Sequence, residues 1–118
     1  MITPDRSGEP WTFRVSEVVR VVDGDTIDAV LDMGFRTRSA QRLRLLYIDT
    51  PERGQDGWAE ATADLAAWTL ANSPLMAHVV KGDSFGRWLV DLRAETDGAS
   101  CSQWMLEHGW PPYVPRPR

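Results

Sequence analysis

The sequence predicts a mainly β (α+β) fold, a five-stranded Greek-key barrel with two short helices, and three observations carry that expectation. Two stretches, Trp11 to Ser16 and Ile27 to Met33, alternate apolar and polar residues at the period of a strand. One segment, Asp56 to Leu70, changes to helical spacing, and strand-like stretches resume after it. The resulting order, β-β-β-α-β-β-α, is that of an OB-type barrel: three meandering strands, an inserted helix and two further strands.

In the first strand Trp11, Phe13 and Val15 alternate with Thr12, Arg14 and Ser16, and the run continues from Val18 to Val22. Asp23-Gly24 then marks a tight turn, a pair favoured where two strands reverse direction. Ile27, Ala29, Leu31 and Met33 alternate with Asp28 and Asp32 as a second strand, and Arg42 to Ile48 forms a third. Trp58, Ala61, Leu65 and Trp68 fall at helical spacing, with Asp56 as the expected cap and Asn72-Ser73-Pro74 as the stop. Leu75 to Val80 is the fourth strand. The fifth starts near Arg87, with Trp88, Val90 and Leu92 on one face. A last helix runs from about Ser100 to His108, ended by Gly109 and blocked by Pro111-Pro112. Cys101, Trp104, Met105 and His108 share one face of it, and Trp58, Trp68, Trp88 and Trp104 all sit at core-like spacings.

The 118 residues suit one compact domain, with residues 1–10 as a disordered leader, 11–114 as the folded domain and 115–118 as a tail. The net charge of −4 argues against a broad electrostatic grip on a polyanion. A single cysteine excludes an internal disulfide and a cysteine zinc cage, and two scattered histidines make a transition-metal cluster improbable. A hard cation bound by oxygen remains open. No apolar run reaches the roughly 18 residues of a membrane span, and Met1 to Pro10 has no apolar signal core. The expectation is an intracellular protein without a membrane partner.

Three segments concentrate chemistry. Asp23-Gly24-Asp25-Thr26 places two carboxylates one residue apart on a turn, where they can aim oxygen ligands at one point; alone, it reads as a hairpin turn. In 42–52 an apolar strand carries Arg44 and then releases Asp49 and Glu52. An arginine in such a strand needs an anionic partner, either phosphate or an acid in a structural ion pair. Arg44 and Asp49 have opposite strand parity, so they converge only if the strand bulges or turns before Asp49. Asp83-Ser84-Phe85-Gly86-Arg87 throws Arg87 to the mouth of the fifth strand.

With VDGDT (22–26), RLLYIDTPE (44–52) and DSFGR (83–87) in this order, the chain resembles the staphylococcal nuclease-like family over roughly residues 15 to 114. The resemblance implies an OB-type barrel holding one Ca²⁺ through the carboxylates of Asp25 and Asp49 and the carbonyl of Thr50, with Asp23 in support. It implies Glu52 as the residue that directs a water onto phosphorus. Arg44 and Arg87 would bind the equatorial oxygens, and DNA or RNA cleavage would leave 3′-phosphate ends. Phe85 and Tyr113 are candidate substrate contacts. Phe85 and Ser84 stand where familiar members carry an aromatic hydroxyl and a lysine. The loop from Arg53 to Gly57 is short, and the family's third helix has no counterpart here. A monomer is expected, with a dimer open if a partner covers the patch so exposed. The alternative reading is an inactive OB-type module that binds single strands or another protein.

Overall fold

The computed structural model describes residues 11–115, so the expected leader and residues 116–118 of the expected tail lie outside the described residues. Five strands form a closed barrel: β1 (Trp11–Asp23), β2 (Thr26–Asp32), β3 (Arg38–Leu45), β4 (Leu75–Gly82) and β5 (Trp88–Ala94). Helix α1 (Trp58–Asn72) lies between β3 and β4, and α2 (Cys101–Glu107) follows β5. Around the barrel the order is β1-β2-β3-β5-β4, as an OB-type fold requires. Among the described residues only β3 and β5 pair in parallel, Leu43 with Trp88 and Arg44 with Leu89.

Closure is a bending problem. The 13-residue β1 pairs with both β2 and β4, and its ladder with β2 shifts register after Val15, Val18 and Val21. Each shift inserts a residue, bends the strand and lets one element serve two sides of the barrel. The core is built from the inward residues of all five strands, among them Phe13, Ile27, Leu43, Leu45, Leu75, Val90 and Leu92. Leu65 and Trp68 of α1 and Cys101 and Met105 of α2 complete it. Burial raises the Cys101 thiol well above its ordinary pKa, with the Asp91 charge adding to the effect, so it packs as a neutral apolar group.

Several sequence expectations are corrected. The third strand begins at Arg38 and ends at Leu45 rather than running from Arg42 to Ile48. Asp56 does not cap α1; Gly57 does, in a left-handed conformation (φ 90°) and with no side-chain hydrogen bond. A Cβ at Gly57 would sit 3.2 Å from Pro51 Cγ, so the turn is both tight and left-handed, which favours glycine. Of the four tryptophans assigned core spacing, only Trp68 is fully buried; Trp88 is exposed at the rim of an apolar pocket that Phe13, Leu31 and Val79 also line. His108 is exposed as well, stacked on Trp104 with ring centroids 3.7 Å apart. Helix α2 starts with a side-chain cap that the sequence reading did not name, Ser100 Oγ accepting the Gln103 N–H.

Candidate active site

The β1–β2 turn, the end of β3 and the β4–β5 loop bring charged groups around one polar cavity of about 520 Å³. Asp23, Asp25, Arg44, Asp49, Glu52 and Arg87 line it together with Tyr113. Residues separated by more than sixty positions in sequence thus share one wall. Four carboxylates face two guanidiniums, which leaves an excess of negative charge in a cleft open to solvent.

Asp25 is the best-anchored acid. Its side chain is 7% exposed; one oxygen accepts the Thr26 hydroxyl at 2.9 Å and the other the Thr50 N–H at 2.9 Å. A buried carboxylate demands such donors, because burial without them would cost several kcal/mol. The backbone of the same turn is fixed by the Leu45 N–H, which donates to the Asp25 carbonyl at 2.7 Å. Gly24 is required by its neighbours: a Cβ there would come within 2.6 Å of Ala61 Cβ and 2.8 Å of Thr50 Oγ1. Asp23 turns the other way and accepts the Trp58 indole N–H at 2.7 Å, while the Arg53 guanidinium lies 5.2 Å from the centroid of that indole. Trp58 therefore links the turn to the short loop that begins at Glu52.

Arg44 and Asp49 do converge. The strand ends at Leu45, and Tyr47 turns the chain with a left-handed φ of 74°, which cancels the parity problem. Arg44 Nη2 lies 3.4 Å from Asp25 Oδ2 and 3.4 Å from Asp49 Oδ1. Its Nη1 donates to the Leu45 and Ile48 carbonyls. The neighbouring arginine does something else. Arg42 pairs with Asp28 at 2.7 Å on the outer wall, where its hydrogen bond holds the Asp28 carboxyl below the usual carboxylate range. Both arginines of this segment thus make ion pairs, Arg42 with Asp28 on the outer wall and Arg44 with Asp25 and Asp49 at the cavity.

The remaining residues sit as follows. Asp49 is largely exposed, its N–H donating to the Pro111 carbonyl at 2.9 Å. Thr50 is buried, and its Oγ1 has no hydrogen-bond partner. Glu52 is exposed, and its carboxylate makes no hydrogen bond or ion pair among the described residues. Arg87 pairs with Asp83 at 2.7 Å and lies 5.4 Å from the centroid of the Phe85 ring. Phe85 and Tyr113 flank an adjoining cavity of about 380 Å³ that also includes Arg44, Tyr47, Lys81, Asp83, Arg87 and Leu89. Tyr113 is held at its rim because its N–H donates to the Tyr47 carbonyl at 2.9 Å. Sequence reasoning assigned no role to Trp58, Tyr47, Lys81 or Asp83.

Among the described residues no cluster of three or more His, Cys, Asp or Glu side chains is arranged to hold a metal. The set expected here is of a different kind, two carboxylates and a carbonyl. Asp25 and Asp49 line the cavity, and Thr50 lies in the neighbouring cleft beside Asp49 and Glu52; donors that are all oxygen, next to surplus carboxylate, suit a hard divalent ion.

No protein-family model matches the chain. It is 37% identical over 92 residues to an uncharacterized endonuclease of Escherichia coli O157:H7, covering 78% of this chain and 56% of that protein. A micrococcal nuclease of Shigella flexneri is 37% identical over 79 residues, 67% of this chain and 42% of that protein. The protein ParB of Escherichia coli is 36% identical over 83 residues, 67% of this chain and 41% of that protein. The chain spans about half the length of the curated relatives it matches.

Proposed function

We propose, from the chain's kinship with the staphylococcal nuclease-like family, that it is a calcium-dependent nuclease cutting phosphodiester bonds of DNA or RNA. One observation carries the reading: Asp25, Arg44, Asp49, Glu52 and Arg87, drawn from three separate motifs, line a single polar cavity. That combination of acids and guanidiniums suits a phosphate diester, whose negative charge needs both a cation and hydrogen-bond donors.

Asp25, Asp49 and the Thr50 carbonyl would hold one Ca²⁺, with Asp23 supporting them. When bound, the ion would supply Lewis acidity and lower the pKa of nearby water. Glu52 has a carboxylate with no competing partner among the described residues, so it can accept a proton from an attacking water or orient that water. Arg44 is already fixed by two carbonyls, so it can meet a phosphate oxygen with little further ordering. Arg87 approaches from the opposite loop. Together they would stabilise charge on the equatorial oxygens as the 5′-oxygen leaves, producing a 3′-phosphate. Phe85 and Tyr113 would flank the adjoining nucleoside. The protein would act as a monomer.

The test is cleavage of end-labelled single-stranded DNA, duplex DNA and RNA with Ca²⁺ or with chelator, followed by phosphatase treatment of the products. Cutting in calcium alone, with ends that phosphatase converts to 3′-hydroxyls, is the expected result. Cutting unaffected by chelator, or ends resistant to phosphatase, would refute the metal or the product assignment respectively.

A further inference from the structure

The five-residue connection from Asp83 to Arg87 is built around one carboxylate. Asp83 Oδ1 accepts two backbone N–H groups, from Phe85 at 2.9 Å and from Arg87 at 3.0 Å. Asp83 Oδ2 accepts the Nε–H of Arg87 at 2.8 Å and lies 2.7 Å from its Nη2. The backbone closes the same loop, the Asp83 N–H donating to the Arg87 carbonyl at 2.8 Å. Burial by itself would raise the Asp83 pKa, but the hydrogen bonds from the Arg87 backbone, the Arg87 side chain and the Phe85 backbone outweigh it and hold the group ionised.

This arrangement divides the Arg87 guanidinium into two edges. The Nε edge is occupied by Asp83, and Phe85 lies on the ring-stacking side, 5.4 Å from centroid to Cζ. What remains for a ligand is the edge formed by Nη1 and the outer N–H of Nη2, a pair of parallel donors that matches two phosphate oxygens. Asp83 itself lies outside the 520 Å³ cavity, whereas Arg87 lines it. We propose that Asp83 is a positioning residue: it clamps the Nε edge of Arg87 and so aims the Nη edge at the scissile phosphate. The proposal rests on the nuclease reading for its consequence in turnover, but the clamp itself can be measured without turnover.

Asp83→Asn is the discriminating variant. Its amide oxygen can keep both backbone contacts that fold the loop, while its NH₂ faces the Nε–H of Arg87 with a donor against a donor. A merely structural role would therefore survive the change. With the clamp broken, kcat falls about 10- to 100-fold, the range in which small misplacements of a catalytic group act, while the melting temperature drops only by the small stability that the ionised Asp83 contributes. In an Arg87→Ala background the same change has no further effect, because the residue acts through Arg87. A second, equal loss in that background, or an unchanged kcat in the single variant, would overturn the proposal. The Arg87 Nε–H resonance in a ¹⁵N-labelled sample gives the independent readout: slow solvent exchange in the parent and fast exchange in Asp83→Asn. Should the parent cut nothing, the nuclease reading falls and this resonance alone decides the clamp, fast exchange in both proteins overturning it.

Discussion

Arg44 and Arg87 bring the same group to the same cavity by opposite means. Arg44 sits in β3, its side chain 12% exposed, bound to the Leu45 and Ile48 carbonyls and shared between Asp25 and Asp49. Arg87 stands on a loop, 28% exposed, and is held by one carboxylate four residues earlier. The first arginine is therefore part of the fold's own accounting of buried charge, and the second is an attachment to it. Stability and activity should separate at Arg87 and fail to separate at Arg44.

The largest effect is expected at Arg44. Arg44→Ala removes the partner of the buried Asp25 carboxylate, a change that typically costs about 3–5 kcal/mol, and activity should disappear with it. Denaturant unfolding checks this, and an Arg44→Ala protein as stable as the parent would break the comparison. Arg87→Ala should lose only the small stability of its pair with Asp83, far less than Arg44→Ala, and about 10²- to 10³-fold in kcat, as removal of one charge-stabilising donor does. Steady-state kinetics beside a thermal melt separates the two outcomes.

A smaller effect belongs to the cradle beneath Arg44. Gly24→Ala drives a methyl against Ala61 and Thr50, for a loss of about 1–3 kcal/mol; an unchanged unfolding midpoint would show that the turn is looser than its contacts suggest. The smallest effect concerns acid. Because hydrogen bonds keep Asp83 below the usual carboxylate range, its stabilisation is fully present above its unfolded pKa of about 4. It is lost as pH falls through the lower folded value. The stability difference between the parent and Asp83→Asn, measured by denaturant unfolding, should thus hold from pH 7 to pH 5 and shrink below about pH 4. A difference that vanished near pH 6 would mean another group controls the clamp.

The barrel was legible in the sequence because strand alternation and helical spacing report which face of each element is buried, and Phe13, Ile27, Leu65 and Leu92 obeyed them. The pattern could not show that Trp88, on the same face of β5 as Val90 and Leu92, would lie exposed at the barrel's open end beside Phe13, Leu31 and Val79. Its indole N–H donates to Gln41 on β3, and its ring covers the exposed Gly82, a cross-strand arrangement that spacing along one strand does not encode. The end of β3 was missed for a similar reason. Tyr47 adopts a left-handed backbone that its residue type does not favour, and tertiary bonds to Tyr113 and Ser102 surround that turn. At the site, the motifs named the groups that gather in the cavity but not what holds them. Asp83 was visible only as one letter of a motif, and Trp58 carried no sequence signal for its bond to Asp23, thirty-five residues away.

The most direct test of the central claim is calcium-dependent cleavage of labelled DNA by the parent and by Glu52→Gln. Glu52 has no structural partner among the described residues, so the substitution should leave the fold intact. The account predicts robust cutting by the parent and its near-complete loss in the variant at equal stability. Equal cutting by both proteins would contradict the role of Glu52, and no cutting of DNA or RNA by a well-folded parent would turn the reading toward a binding module.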